Sequence, residues 1–429
     1  MSHGGRLDLD LAIVGAGPAG LVAARTADQL GLSHRVLEAK SRIGGRAYTE
    51  HNRFGVPVDH GCHWLEGAAG NPFRAYADAH GIAYSRAPRR IRVFGPDEWE
   101  SRADADAFFS YAESVWKAGC SAAADGLDVA LAEVAPAHER WRPLFDSWCA
   151  ALTGFEPLGV STLDLARYDD RWGAWPVIDG YGSLIARYGA HVAVETRCPV
   201  DRIRWSGPGV VLDTPRGAVR ARMALVTVST GVLASGQPRF LPELPAWKSD
   251  AIAGVRMGPA GKVVLGLKPG AIDPRDSCDV RVDNGSARTA GYHVRPYGRD
   301  LVVANLAGEW AAELEARGRE AMIEFVLSQL IELFGTGIRQ AVTGGDATAW
   351  CTDPHVLGGY SVARPGYADC RPLLARPVAE RLFFAGEAVS LRAFGSAHGA
   401  YESAREAVYE IWRALTSESG AAPGGARPR

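Results

Sequence analysis

Apolar positions fall first in a continuous run and then in a helical rhythm. In "LDLAIVGAGPAGLVAARTADQLG", residues 9–31, a buried-type strand passes through a glycine-rich turn into a helix, and "SHRVLEAK" supplies a second strand. The spacing predicts a βαβ opening. From about residue 70 to 190 the rhythm becomes amphipathic and rich in Ala, Trp and Phe, as in "DADAFFSYAESVWKAG", which predicts a helical insertion. Strand signals return at 192. There "VAVETRCPVDRIRWSGPGVVLDTPRGAVRARMALVTVS" predicts a meander with turns at "SGPG" and "TPRG". Further strands are predicted at "KVVLGL", "DLVVANLAG" and "RLFFAGE", with a helix over 318–334 between the last two. In the final helix Ala397, Ala400, Tyr401, Ala404 and Val408 recur at helical spacing, so one face packs inward.

The length of 429 residues exceeds what one core organises, which predicts two lobes. A net charge of -2 offers no basic field for a phosphate backbone, so nucleic acid is not an expected partner. The seven cysteines are scattered and never spaced C-x-x-C, a pattern that fits a reducing cytoplasm rather than a disulfide framework or a zinc ribbon. No run of about 20 apolar residues predicts a membrane span. The small, polar end, residues 417–429, reads as a disordered tail.

Chemistry enters with Gly15, Gly17 and Gly20, which form G-x-G-x-x-G between the first strand and helix, and with Glu38 at the end of the second strand. The glycines allow a tight turn, backbone approach to a pyrophosphate and close helix–strand packing. The acid would accept hydrogen bonds from ribose hydroxyls and disfavours a 2'-phosphate, leaving NAD or FAD. "IGGR" then places Gly45 and Arg46 beside the same phosphates. At the far end "FFAGE" brings Gly386 for close approach and Glu387 as a hydroxyl acceptor, so contacts at both ends of the chain imply a long cofactor such as FAD. A different question is posed by "GCHWLE", where Cys62, His63 and Glu66 surround Trp64. Such a cluster suits a metal site, a thiol catalyst or an acid/base pair. No partner pair at ligand spacing supports a metal.

Taken together, GAGPAGL, GGRAYT, GCHWLEG, MGPAGKVVL, WCTDPHVLGGYS and FFAGEAVSLRAFGSAHGAYESA resemble the flavin-containing amine oxidases in content and order, most of all polyamine oxidases, with monoamine oxidases and lysine-specific histone demethylases as relatives. The resemblance spans nearly the whole chain. It implies an α/β fold in which a Rossmann-like FAD-binding domain (1–70, 192–260 and 346–416) interleaves with an α+β substrate-binding domain (71–191 and 261–345). It places Val200 on a strand whose backbone meets the adenine, Arg46 near the pyrophosphate and Glu387 near the ribityl chain. Ala397 and His398, at the start of the last helix, fall near the pyrimidine edge of the flavin, where a helix N-terminus would stabilise negative charge. Gly61 permits close approach to the flavin, and Trp350 packs against it.

The chemistry implied is oxidation of an amine: hydride leaves the carbon next to nitrogen for flavin N5, the imine hydrolyses, and dioxygen reoxidises the flavin to give hydrogen peroxide. Lys262 matches the lysine that holds a water near N5, and Tyr360 one wall of the aromatic arrangement over the ring. Ser396 stands where monoamine oxidases have a second tyrosine, and Gly359 where they carry the cysteine that bonds FAD, so non-covalent FAD and a wider substrate site are expected. His63 and Trp64 shape that site, Glu66 selects an ammonium, and Arg392 would instead bind a carboxylate if the substrate were an amino acid. The substrates are then a small amine and dioxygen, with neither membrane nor metal involved and with homodimerisation open. Alternatives on the same frame are a flavin dehydrogenase or desaturase of a biosynthetic intermediate, an L-amino-acid oxidase, or a FAD-bearing protein without catalysis.

Overall fold

The computed structural model describes residues 9–96, 98–169 and 173–418. The apolar run Leu9–Val14 is a central strand, flanked in parallel by His34–Leu37 on one side and Gly217–Val226 on the other. Leu382–Phe384 adds a further parallel strand against Ala224–Val226. The carboxyl ends of these four strands therefore share one edge, where open α/β sheets bind ligands. The predicted meander forms as the antiparallel set 202–204, 210–214 and 217–226. Val194–Glu195 does not join it but pairs with His34–Leu37 at the opposite edge of the sheet. Val200, expected on a strand, lies in the loop between 194–195 and 202–204, because Cys198 N–H turns back to bond the Glu38 carbonyl.

A second sheet has the order 342–347, 260–267, 301–307, 291–294, 278–282 and 91–94. One face packs on the helices Glu309–Ala316 and Arg319–Phe334 through Val263, Leu265, Tyr292, Val302 and Leu306. The opposite face carries Lys262. Two strands of this sheet, 278–282 and 291–294, and the edge strand Ile91–Phe94 inside the helical insertion were not signalled by the sequence pattern. The helices Pro72–His80 and Tyr181–Tyr188, expected with the substrate lobe, instead pack Phe73, Ala77, Tyr181, Leu184 and Ile185 against the first helix and the last. The last helix spans Ala397–Glu418, so Ser417 is helical rather than part of a tail, and residues 419–429 lie outside the described residues.

A short antiparallel pair, Val255–Gly258 with Tyr360–Ala363, joins the lobes; Gly258 sits opposite Tyr360, and Pro259 alone separates it from the strand of Lys262. Around this joint runs a buried chain of alternating charge. Arg46 donates to Glu387 Oε1 at 2.9 Å, Ser361 Oγ donates to Glu387 Oε2 at 2.6 Å, and Arg371 Nη1 donates to Ser361 Oγ at 2.9 Å. Arg371 closes a bidentate pair on Asp164 at 2.6 and 2.8 Å, and both side chains are fully buried. Its guanidinium also lies 3.9 Å from the Phe394 ring centroid. Removing one member strands a buried charge, which costs about 3–5 kcal/mol. Asp164→Asn or Arg371→Met should therefore lower unfolding stability by about that amount in urea denaturation, whereas a loss below about 1 kcal/mol would place the pair in solvent.

Candidate active site

The cofactor end is built by backbone crowding that only glycine tolerates. A Cβ on Gly20 would stand 1.9 Å from the Gly15 carbonyl oxygen, and Gly15 itself has φ 103° with Thr227 Oγ1 filling the space a Cβ would need. The helix Pro18–Gln29 begins at Gly17 without a side-chain cap and with no acid in its first turn. Its first N–H groups and dipole end are thus left for an anion. Gly17 faces Gly45, whose own Cβ would come 3.2 Å from the Gly17 Cα, so two glycine turns pinch together over one spot. Arg46, partly exposed, lines a small adjoining hollow with Thr227, Ser229, Gly386 and Glu387. Uncapped N–H groups and the Arg46 guanidinium as donors, with the Glu38 carboxylate at the end of the second strand as acceptor, fit the pyrophosphate and ribose of FAD.

Glu38 is buried and accepts from the Ala16 N–H at 2.7 Å and the Lys40 N–H at 2.8 Å, which fixes it at the ribose position. Lys40 was overlooked in the sequence. Its ammonium pairs with Asp353 and lies 5.6 Å from the Trp350 ring centroid, and its place two residues after Glu38 was the available signal. Trp350 is buried and donates Nε1–H to the His60 carbonyl at 3.1 Å.

Several expected roles change. Glu387 is anchored by Arg46, Ser361 and the Gly395 N–H at 2.7 Å, so its first task is to hold Arg46 rather than to receive hydroxyls. Burial opposes its charge, but Arg46, Ser361 and Arg371 outweigh burial and keep its carboxyl below the ordinary value. Gly61 is also required by the Arg46 carbonyl oxygen, 1.6 Å from where a Cβ would be. Ser396 is buried as the cap of the last helix: its hydroxyl donates to the Ala393 carbonyl and accepts from the Gly399 N–H. Its hydroxyl is committed to the start of that helix. His398, next to Ala397, has its Nδ1 2.9 Å from Ser396 Oγ, and burial pulls its pKa down to about 4. Arg392 is exposed and paired with Asp169 at 2.9 Å.

At the reaction end, Lys262 Nζ donates to the Gly61 carbonyl at 2.7 Å and the Asp59 carbonyl at 3.1 Å. Burial lowers its pKa, with Asp59 and Cys62 opposing. Tyr360 donates its hydroxyl to the Ala151 carbonyl at 2.6 Å, which pins the ring at the joint between lobes. Glu66 accepts from Tyr168 at 2.9 Å; burial raises its pKa and Tyr168 offsets part of the rise. Lys262, Tyr360, Glu66 and Cys62 lie deep in the protein yet keep some accessible surface. Burial pushes the Cys62 thiol up to about 11, which removes a thiolate nucleophile. His63 Nδ1 bonds Asp59 at 2.8 Å and Nε2 bonds Tyr297 at 3.2 Å, while its ring meets Trp64 edge on at 5.0 Å. Among the described residues no three His, Cys, Asp or Glu side chains are grouped to hold a metal ion, and no helix is long and apolar enough to cross a membrane.

The fold and this site define a FAD-dependent oxidoreductase of the two-lobed amine oxidase architecture. Residues 128–412 match the family described as flavin containing amine oxidoreductase, and residues 13–79 match an NAD(P)-binding Rossmann-like domain. The chain belongs to the flavin-containing amine oxidoreductase family. It is 26% identical to polyamine oxidase 4 of Oryza sativa subsp. japonica, over 95% of this chain and 89% of that protein. It is 30% identical to lysine-specific histone demethylase 1 homolog 1 of the same plant, over 94% of this chain but only 52% of the relative's length. In structure it resembles cyclohexylamine oxidase from Brevibacterium oxydans, with a TM-score of 0.76, 23% identity and coverage of 95% and 99% of the two chains.

Two outcomes test this site. Gly20→Ala should yield folded protein without FAD, read as the loss of visible flavin absorbance per protein. A side chain at 359 would meet Ala260 Cβ at 2.6 Å, leaving no room for a covalent tether there. Acid precipitation should accordingly release all yellow colour to the supernatant, and colour in the pellet would contradict a non-covalent cofactor.

Proposed function

We propose that the chain is an amine oxidase, acting on a small amine at the carbon next to nitrogen and using dioxygen as the final acceptor. The observation that carries this reading is Lys262 held by the Gly61 and Asp59 carbonyls on the strand that continues from the partner of Tyr360. When bound, FAD supplies the two-electron acceptor and passes the electrons on to dioxygen. Every other part of the work falls to the chain.

The Lys262 ammonium has two of its three donors committed to carbonyls, so the third is fixed in direction and available to a water or to reduced oxygen species. With its pKa lowered by burial, it moves a proton more readily than a surface lysine. Tyr360 cannot ionise near neutrality because burial raises its pKa, so it serves as an apolar wall and orients the substrate by shape. Glu66, with Tyr168 fixing its carboxylate, is the counter-ion for the incoming ammonium. His63 and Trp64 close the same side of the cavity.

The test is anaerobic mixing of the holoenzyme with a panel of amines: loss of flavin absorbance with imine or aldehyde formed in equal amount supports the reading, and no bleaching by any amine refutes it. Lys262→Met should retain FAD yet reoxidise with dioxygen at least about 100-fold more slowly, and unchanged oxygen kinetics would remove Lys262 from the reaction. Ammonium binding needs Glu66 ionised, and its pKa is raised, so KM should climb as pH falls through a range above that of an ordinary glutamate. Glu66→Gln should flatten that rise while raising KM at neutral pH.

A further inference from the structure

The face of the second sheet that carries Lys262 also carries Arg281, which among the described residues forms no hydrogen bond or close ion pair with an acid, although the charge of Asp279 on the same strand acts on it. Strand register places Lys262 opposite Asn305, Asn305 opposite Gly291, and Gly291 opposite Arg281, one straight row across four strands. The neighbouring row holds Val264, Val303, His293 and Asp279. Both carboxylate oxygens of Asp279 are taken, one by His293 and the other by Arg89, whose guanidinium stacks on Trp64 at 4.3 Å. Asp279 thus acts on Arg281 through charge without a hydrogen bond: among the described residues Arg281 keeps a single bond, from Nη1 to the Val280 carbonyl at 3.2 Å, and its buried Nε has none.

Gly291 sets the direction of that side chain. A Cβ at 291 would come 2.9 Å from Arg281 Nη1 and 3.5 Å from Cζ, so the guanidinium lies over Gly291 of the neighbouring strand, in the row that continues to Asn305 and Lys262. From Gly291 to the strand of Lys262 is two strand spacings, roughly 10 Å. Like Lys262, Arg281 lies deep and still keeps accessible surface. Burial lowers its pKa to about 10, and it stays cationic at neutral pH.

Arg89 and Arg281 thus share the one carboxylate of Asp279, and the second interior guanidinium, without a hydrogen-bonded anion, is expensive unless another anion joins it; its planar fork matches a carboxylate. We propose that Arg281 is the receptor for a carboxylate on the substrate, so that the amine oxidised here carries an acidic group. This rests on the amine-oxidising reading for the site's purpose, though not for the binding itself. It moves to Arg281 the carboxylate-binding role that Arg392, spent on Asp169 at the surface, does not fill. With Glu66 for the ammonium and Arg281 for the carboxylate, the cavity matches both charges of a zwitterion.

The experiment titrates the FAD-loaded protein by calorimetry with two isosteric pairs, butyrate against butyramide and phenylacetate against phenylacetamide. Each carboxylate should bind at least about 10-fold more tightly than its amide. Arg281→Met should abolish the difference and Arg281→Lys should keep part of it. Equal affinity within the pairs, or a preference unchanged in Arg281→Met, would overturn the assignment. If Arg281→Met fails to fold or to hold FAD, the comparison of pairs in the native protein decides alone. Aminocarboxylates in the anaerobic bleaching panel separate the two claims. Carboxylate preference without bleaching by any amine sinks the oxidase reading and leaves Arg281 standing; bleaching by plain amines without carboxylate preference does the reverse.

Discussion

The buried chain Arg46–Glu387–Ser361–Arg371–Asp164 is the constraint on which the rest depends. It ties together a loop after the second strand, the end of the strand Leu382–Phe384, the joint between the lobes and the helix Thr162–Arg167 of the insertion. Two cations and two anions alternate, so the chain closes without net charge in a place where an unmatched one would be severely destabilising. Because Arg46 is held by this chain and by the Gly359 carbonyl at 2.7 Å, it presents a fixed guanidinium to the cofactor rather than a flexible one. Position, not affinity alone, is what such an arrangement gives to a redox site.

The same joint sets the reacting end. Tyr360 follows Gly359 directly and pairs with Gly258, and the strand of Lys262 starts two residues later. Cofactor cradle, aromatic wall and lysine are thus separated by a few backbone steps through regular pairing, which leaves little freedom for relative movement. Close contacts of glycine on backbone repeat the theme: Gly154 and Gly258 pack with a potential Cβ 2.7 Å from the opposing Cα, bringing the end of helix Arg142–Thr153 against the joint.

Much of the cofactor lobe was legible in the sequence because its signals are local. Gly15, Gly17, Gly20 and Glu38 lie within one βαβ unit, and their spacing carries their roles. What was not legible depends on contacts between distant segments. Ser396 looked like a missing aromatic, but a serine just before a helix is a cap first. Gly61 looked like room for a ligand and is also room for the Arg46 carbonyl. Arg371 and Asp164 stand 207 residues apart and gave no local sign of pairing. Arg281 escaped notice because its row with Lys262 exists only once four strands, out of chain order, are laid side by side.

The most direct test of the account is the position of the flavin ring in a crystal structure of the FAD-bound protein. The account predicts the isoalloxazine at the joint between lobes, its face against Tyr360 and its N5 edge within hydrogen-bond reach of Lys262 Nζ, directly or through one water. A ring seated elsewhere, with Lys262 still closed on the Gly61 and Asp59 carbonyls and remote from it, would contradict the site proposed here.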